Sequence, residues 1–147
     1  MTPALLRTRL LGVSAATLQA EGRSGRTRWL RAGSGSVEVV TRRADAIEWI
    51  EAGEWTERGV TCGYRTRLRW HFTREGIELS HLRRGPDAPV HLASLHLNEH
   101  GALIPRAPHL CGDDQYLAAI RVEAAALTLS WQATGPAKDY RLVTTYR

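Results

Sequence analysis

The sequence is poor in cysteine, lysine and long apolar runs, and each shortage argues against a class of protein. Its 147 residues include two cysteines, Cys62 and Cys111, so at most one disulfide could form and a disulfide-rich secreted fold is ruled out. No run approaches the ~20 consecutive apolar residues of a transmembrane helix. The segment 1–20 has only a short apolar centre and lacks a small-residue cleavage site. We therefore expect a cytoplasmic protein that does not associate with a membrane.

Lysine is almost missing, because all 20 basic residues except Lys138 are arginine. Against 15 acidic residues they give a formal charge of +5. No run of five basic residues occurs, and acidic residues are interspersed throughout, which is typical of an ordinary solvated surface. A protein or nucleic-acid interaction module that uses an arginine-rich surface is therefore the weakest functional hypothesis, and a nucleic-acid partner is disfavoured.

The composition is that of one ordinary globular domain. Hydrophobic residues make up 43% of the chain and charged residues 24%, which are typical values for folded domains. A chain of 147 residues can bury roughly two thirds of its unfolded surface, enough for a core without a disulfide or metal. We expect a single domain over 1–147, without a linker or an internal repeat.

Apolar and polar residues alternate along most of the chain, with the two-residue period of half-buried β-strands. The clearest strand is 64–72. One face carries Tyr64, Thr66, Leu68, Trp70 and Phe72, and the other carries Arg65, Arg67, Arg69 and His71. Because unpaired guanidinium groups are costly to bury, we expect the arginine face outside and the aromatic face inside.

Turn signals recur at short intervals between these segments. Gly33–Ser36 is interpreted as a turn, Gly53 as the end of a strand, and Gly85–Pro89 as a loop. Residues 4–12 fit either a short helix or a first strand. About eight to nine strands predict an all-β fold with a short N-terminal helix, either a sandwich or a single antiparallel closed β-barrel. Such a barrel encloses packed side chains or one small ligand.

The densest polar cluster lies in two segments near the C-terminus, 109–116 and 135–140. Its chemistry-capable members are His109, Cys111, Asp113, Asp114, Tyr116, Lys138, Asp139 and Tyr140. His109, Cys111 and Asp114 are possible zinc ligands, but three candidates this close in sequence could bind a metal only in a tight loop. A Cys111–His109 nucleophile pair is weaker still, because the spacing does not place the imidazole against the sulfur. A hydrogen-bonded loop that closes one barrel end is favoured, and no metal is assigned.

Lys138 has the strand parity of Tyr140, so its side chain points inward if the last strand already includes it. A buried ammonium must be paired or lose its proton. The candidate partners are Asp113, Asp114 and Glu51. An inward Lys138 could bind an anion or act as a base. The structural alternative is a salt bridge that joins the last strand to the 109–116 loop.

A resemblance to a known family rests on two spaced motifs and a tryptophan between them. These are His109-x-Cys111-x-x-Asp114-x-Tyr116, Trp131, and Gly135-Pro136-x-Lys138-Asp139-Tyr140. They resemble an uncharacterised family of lipocalin-like (calycin-type) β-barrel domains of unknown function, found in bacteria and fungi. The resemblance is specific over 47–147 and weak over 1–46, where Ser14 replaces the tryptophan of a calycin-type opening. It implies a closed barrel with a cavity, and no particular activity.

The sequence therefore predicts a small-molecule-binding barrel whose pocket is closed by the 109–116 loop and the 135–140 segment. The candidate ligand-binding residues are His81, His109, Asp114, Tyr116, Trp131, Lys138 and Tyr140. We expect an anionic or aromatic ligand and a monomer or homodimer. No cofactor is identified, since no feature singles out haem with His81 or His109 as axial ligand. The main alternative is an enzyme in which His109, Tyr116 or Lys138 performs acid–base chemistry, and no catalytic residue is assigned.

Overall fold

Eleven strands and one short helix make up residues 2–147, the part of the chain that the computed structural model describes. In chain order they are α1 (Pro3–Gly12), β1 (Ala15–Ser24), β2 (Thr27–Arg42), β3 (Ala46–Glu57), β4 (Val60–Phe72), β5 (Ile77–His81), β6 (Val90–Leu97), β7 (Ala102–Pro105), β8 (His109–Cys111), β9 (Asp114–Val122), β10 (Leu127–Gly135) and β11 (Lys138–Tyr146). The predicted all-β class is confirmed.

The strands close into a single antiparallel barrel. Neighbours in sequence pair from β1 to β7, β9 pairs with both β7 and β10, and β11 returns to β1. Ten strands therefore form the ring, while β8 pairs with β9 alone. The count exceeds the predicted eight to nine partly because β7 and β8 have only four and three residues. Segments so short show no readable alternation.

Glycine pairs account for the main error in the sequence interpretation. Gly33–Ser36 is not a turn and Gly53 does not end a strand, because β2 and β3 run through both positions. Gly35 lies opposite Gly53 in the register. A Cβ on Gly53 would lie 2.5 Å from Gly35 Cα and would collide with the carbonyl oxygen of Ser34. Glycine is needed here because the two backbones approach closely, not because the chain turns.

Helix α1 closes one end of the barrel. It begins after Thr2, whose hydroxyl accepts a hydrogen bond from the first turn at 3.2 Å, as a helix N-cap does. Leu6 and Leu10 are buried in the core. Arg7 Nη1 donates to Ala44 O at 3.4 Å, which places the helix beside the β2–β3 turn. No helix within 2–147 is long and apolar enough to cross a membrane.

Aromatic residues fill the half of the barrel next to α1. Trp49 and Trp70 are fully buried, and their ring centroids lie 4.9 Å apart at an interplanar angle of 65°. The ring of Tyr146 lies 5.0 Å from that of Trp49. Edge-to-face contacts of this kind add to the large area that such rings bury. The packed cluster forms a floor, above which the barrel is hollow.

The outer wall carries the arginine face of 64–72, in the predicted orientation. Glu48 is buried on this wall. Its carboxylate accepts hydrogen bonds from Arg67 Nη2 and Arg69 Nε, both at 2.8 Å, which offset the cost of burying the charge. Arg69 also donates to Pro86 O at 2.9 Å, which holds the β5–β6 loop against the wall. Burial raises the pKa of Glu48, but the hydrogen bonds and charges of both arginines outweigh it, and the net shift is downward.

Candidate ligand-binding cavity

The open half of the barrel encloses a cavity of about 780 Å³. The β1–β2, β3–β4 and β10–β11 turns surround its mouth, since antiparallel strands place them at the end opposite the β2–β3 turn and α1. Its apolar wall includes Leu18, Leu68, Leu129 and Leu142. Small-molecule sites typically measure about 300–1,000 Å³, so the cavity has the size of a ligand site.

Aromatic side chains line the upper part of this cavity. Trp29, Trp55, Trp131 and Tyr140 are half-buried and face it, and the rings of Trp29 and Tyr140 lie 6.2 Å apart. Burial, followed by the charge of the neighbouring Tyr116, raises the pKa of Tyr140. A wall of this kind offers stacking surfaces to a planar molecule.

A buried carboxylate lies at the cavity floor. Glu51 is 4% exposed and occupies the inward position of β3 that follows Trp49. Tyr64 Oη donates to Glu51 Oε1 at 2.8 Å, and Tyr146 Oη donates to Oε2 at 2.9 Å. Burial, together with the charge and hydrogen bonds of Glu51, raises the pKa of both tyrosines. Both hydroxyls therefore remain protonated donors at neutral pH.

Arg31 lies on the wall nearer the mouth, between two tryptophans. Its guanidinium carbon is 3.8 Å from the ring centroid of Trp55 and 5.2 Å from that of Trp29, a cation–π arrangement. Arg31 Nη2 donates to Glu57 Oε2 at 3.3 Å. Arg31 Nε is buried and has no hydrogen-bond partner within the described part of the chain. A ligand oxygen that accepted this N–H would satisfy it.

His81 contributes a second buried nitrogen to the cavity wall. Its Nδ1 has no hydrogen-bond partner among residues 2–147. Burial, followed by the positive charges of Arg83 and Arg84, lowers its pKa, so the imidazole is neutral at neutral pH. A neutral imidazole can donate or accept a hydrogen bond according to its tautomer.

Two hairpins, β8–β9 and β10–β11, meet at the rim. Lys138 Nζ lies 3.0 Å from Asp114 Oδ2 and also donates to Tyr116 Oη. A Cβ on Gly135 would collide with the Asp114 carboxylate, so glycine makes room for this pair. The salt bridge joins the last strand to the 109–116 loop, and Glu51 is not the partner of the lysine.

Lys138 is not buried, and of the two alternatives considered for it the structure has the salt bridge to the 109–116 loop. The lysine side chain is 41% exposed, because β11 begins at this residue and only its later positions face the interior. The hydrogen bonds to Tyr116 and Asp114 hold the pKa of Lys138 well above its ordinary range. The ammonium therefore stays protonated, which argues against Lys138 as a general base.

The residues considered as a metal site do not come together. His109 faces Tyr116 across β8–β9, with ring centroids 6.3 Å apart, and lies 5.9 Å from the ring of His91. Cys111 is a free, exposed thiol. Across 2–147, no three His, Cys, Asp or Glu side chains form a group that could hold a metal ion. His109, Cys111 and Asp114 therefore do not form a ligand set.

Most of the predicted binding residues reach the cavity. Those that line it are His81, His109, Tyr116, Trp131 and Tyr140. Asp114 and Lys138 lie on the rim and reach the cavity only through Tyr116. Whether any of the seven contacts a ligand stays a prediction.

Sequence reasoning did not assign two charged residues of the cavity lining, Arg31 and Glu51, and considered Glu51 only as a partner of Lys138. Glu51 shares parity with Trp49, and Arg31 shares parity with Trp29. A single charge on an otherwise apolar strand face is the signal that could have found them. That signal is weak here because Gly33 and Gly53 were interpreted as the ends of the two strands, which leaves few residues in which to recognise an apolar face.

Residues 17–147 match a family model described as "Family of unknown function (DUF6314)". The chain belongs to this family. The DUF6314 match begins well before residue 47, where the specific part of the resemblance starts. A lipocalin-like relationship and the status of the 109–116 and 135–140 motifs as a family signature stay predictions.

Two further comparisons add little about function. A solved structure of a DUF1329 family protein from Desulfovibrio piger ATCC 29098 is similar over 98% of this chain and 88% of that chain. The sequence identity is 6% and the TM-score 0.30, too low to support an inference. No curated protein matches the sequence.

Proposed function

We propose that this protein binds a small molecule inside its barrel. The observation that carries the proposal is the hollow half of the ring, a cavity of about 780 Å³ above a packed aromatic floor. Its walls are mostly apolar and aromatic, with a few buried polar groups, which is the usual make-up of a ligand site. A barrel without a ligand to bind would be more stable if side chains filled this space.

The wall chemistry supports an aromatic body with an anionic group at the mouth. Trp29, Trp55 and Trp131 offer stacking surfaces, and Arg31 offers beside them a buried N–H that has no partner within residues 2–147. An anion deep in the cavity would lie against Glu51, where like charges repel. The anionic end of the ligand would therefore lie near Arg31 rather than on the floor.

Enzymatic activity on the same barrel is the second candidate, and one observation favours it. Tyr116 faces the cavity while its hydroxyl accepts a hydrogen bond from the protonated Lys138. A tyrosine hydroxyl that a hydrogen bond holds at a cavity wall is in position for proton transfer to or from a bound molecule. His109, whose ring lies 6.3 Å from that of Tyr116, would be its neighbour in such a site.

A substitution that fills the cavity tests ligand binding directly. Ala20 faces the cavity from β1, opposite Arg31 on β2 and Leu142 on β11. Ala20→Trp would place an indole in the space that the ligand needs. Gln19→Trp is the matched control, because Gln19 is the preceding residue and points outward into solvent.

Anilinonaphthalene sulfonate, an anionic aromatic dye, is a suitable first probe. We expect it to bind the native protein, to bind Gln19→Trp equally, and to bind Ala20→Trp at least about tenfold more weakly. Native mass spectrometry of freshly purified protein would show whether a cellular ligand is retained. Equal dye binding by a folded Ala20→Trp protein would contradict the proposal.

We further propose that the protein functions in the cytoplasm as a monomer or homodimer. Cys62 and Cys111 are both free thiols, the form that a reducing compartment maintains. Light scattering at several protein concentrations would give the oligomeric state.

A further inference from the structure

The carboxylate at the cavity floor has acceptor capacity that the protein does not use. An ionised carboxylate offers about four lone-pair positions. Tyr64 and Tyr146 each donate to a different oxygen of Glu51, which leaves one position on each oxygen. Glu51 also lines the cavity, so a molecule inside the barrel can approach it.

This carboxylate also lacks a cationic partner. Among the described residues, no Lys, Arg or His forms an ion pair with Glu51, whereas the equally buried Glu48 is paired with two arginines. A buried carboxylate is costly unless it is paired as well as hydrogen-bonded. Arg31, which faces the same cavity, is within hydrogen-bonding distance of Glu57 instead.

From this geometry we propose that Glu51 receives a protonated amine at the inner end of the ligand. The inference rests on the proposed function, because it specifies what enters the same cavity. The ligand is then an aromatic amine, whose ring stacks against the tryptophans and whose ammonium completes the ion pair that Glu51 lacks. An anionic group at its outer end would reach Arg31.

The two tyrosines position the carboxylate for this role. Tyr64 comes from β4 and Tyr146 from β11, so the hydrogen bonds hold Glu51 from both sides of the barrel. A carboxylate fixed in this way loses little conformational freedom when it binds a cation. Tyr146 is itself held by its packing against Trp49.

Three probes with one aromatic body separate this inference from the function on which it depends. They are naphthylethylamine, naphthylethanol and ethylnaphthalene, which end in an ammonium, a hydroxyl and a methyl group. Isothermal titration calorimetry at neutral pH would compare their affinities for the native protein. Glu51→Gln keeps the shape of the side chain and removes its charge. Glu54→Gln is the matched control, because Glu54 lies on the same strand but is exposed.

We expect the amine to bind the native protein most tightly of the three. A charge-assisted contact in a dry site should give an advantage of about 10- to 100-fold over ethylnaphthalene. Glu51→Gln should remove that advantage and leave ethylnaphthalene affinity unchanged. Glu54→Gln should bind all three probes as the native protein does.

If Glu51→Gln fails to fold, the affinities of the native protein for the three probes still test the amine inference. Equal affinity for all three probes, or tighter binding of the alcohol or the hydrocarbon, would overturn the amine inference and leave ligand binding intact. If neither these probes nor anilinonaphthalene sulfonate bound, the proposed function would fail, and the inference with it.

Discussion

Replacement of Gly53 by alanine tests the glycine contact between β2 and β3. Gly53 lies opposite Gly35, and an added methyl group would press on Gly35 Cα and on Ser34 O. Both obstacles are backbone atoms of a paired strand, so neither can rotate away. The strands would have to separate locally, which would disturb the hydrogen bonds of the ladder near Glu51. We therefore expect Gly53→Ala to destabilise the fold.

The magnitude follows from a comparison with a glycine that has room. Overpacking of this type costs about 1–3 kcal/mol. Gly63 lies on the neighbouring strand, and an added Cβ would meet only Gly53 O, at 3.9 Å. Its φ is not positive, so Gly63→Ala should stabilise the protein by about 0.4–1 kcal/mol through the unfolded chain. The two variants should thus differ by about 1.4–4 kcal/mol.

Urea unfolding followed by tryptophan fluorescence would measure this difference. With a typical denaturant slope, the two midpoints should lie about 1 M or more apart. The native protein should fall between them. If Gly53→Ala were as stable as Gly63→Ala, the close contact between β2 and β3 would be wrong, and so would the strand register that places Glu51 inside the barrel.

Two further substitutions test other contacts. Glu48→Gln should cost about 2–4 kcal/mol at pH 7, because it leaves Arg67 and Arg69 without their buried carboxylate. The pKa of Glu48 is below its ordinary value of 4.5, so the stabilisation by its carboxylate is present above about pH 4.5 and is lost as the pH falls further. The difference in unfolding free energy between the native protein and Glu48→Gln should therefore shrink at low pH. A difference that stayed constant in urea unfolding at several pH values would contradict this. Leu10→Ala should cost about 2–5 kcal/mol because Leu10 is fully buried, whereas Leu5→Ala should change stability by less than about 0.5 kcal/mol. Equal melting temperatures for these two leucine variants would mean that α1 does not close the barrel.

The candidate site was predictable only in part, and the reason differs from residue to residue. His109 and Tyr116 stand close together in sequence, so their placement at one rim follows from a local hairpin. Tyr140 follows from the alternation of the last strand. For Lys138 the same rule left both an inward lysine and a salt bridge to the 109–116 loop open, because alternation does not reveal where a strand begins; the structure has the salt bridge. Glu51 was considered only as a partner of Lys138, because its hydrogen-bond donor Tyr146 is 95 residues away in sequence.

The sequence by itself determined the class of fold and which face of most strands is buried. Both are local properties, since a two-residue period places alternate side chains on opposite faces whatever the strand pairs with. The face of 64–72 that carries Leu68 and Trp70 is the clearest case, because its alternation alone predicts the buried side.

Only the tertiary structure decided how the barrel closes and what its interior holds. β1 pairs with β11, at the opposite end of the chain, and this closure brings Tyr146 to Glu51. It also decides that the aromatic floor fills one half of the ring and leaves the other half hollow. Packing and cavity volume depend on which side chains meet across the ring, and strand periodicity carries no information about partners so distant in sequence.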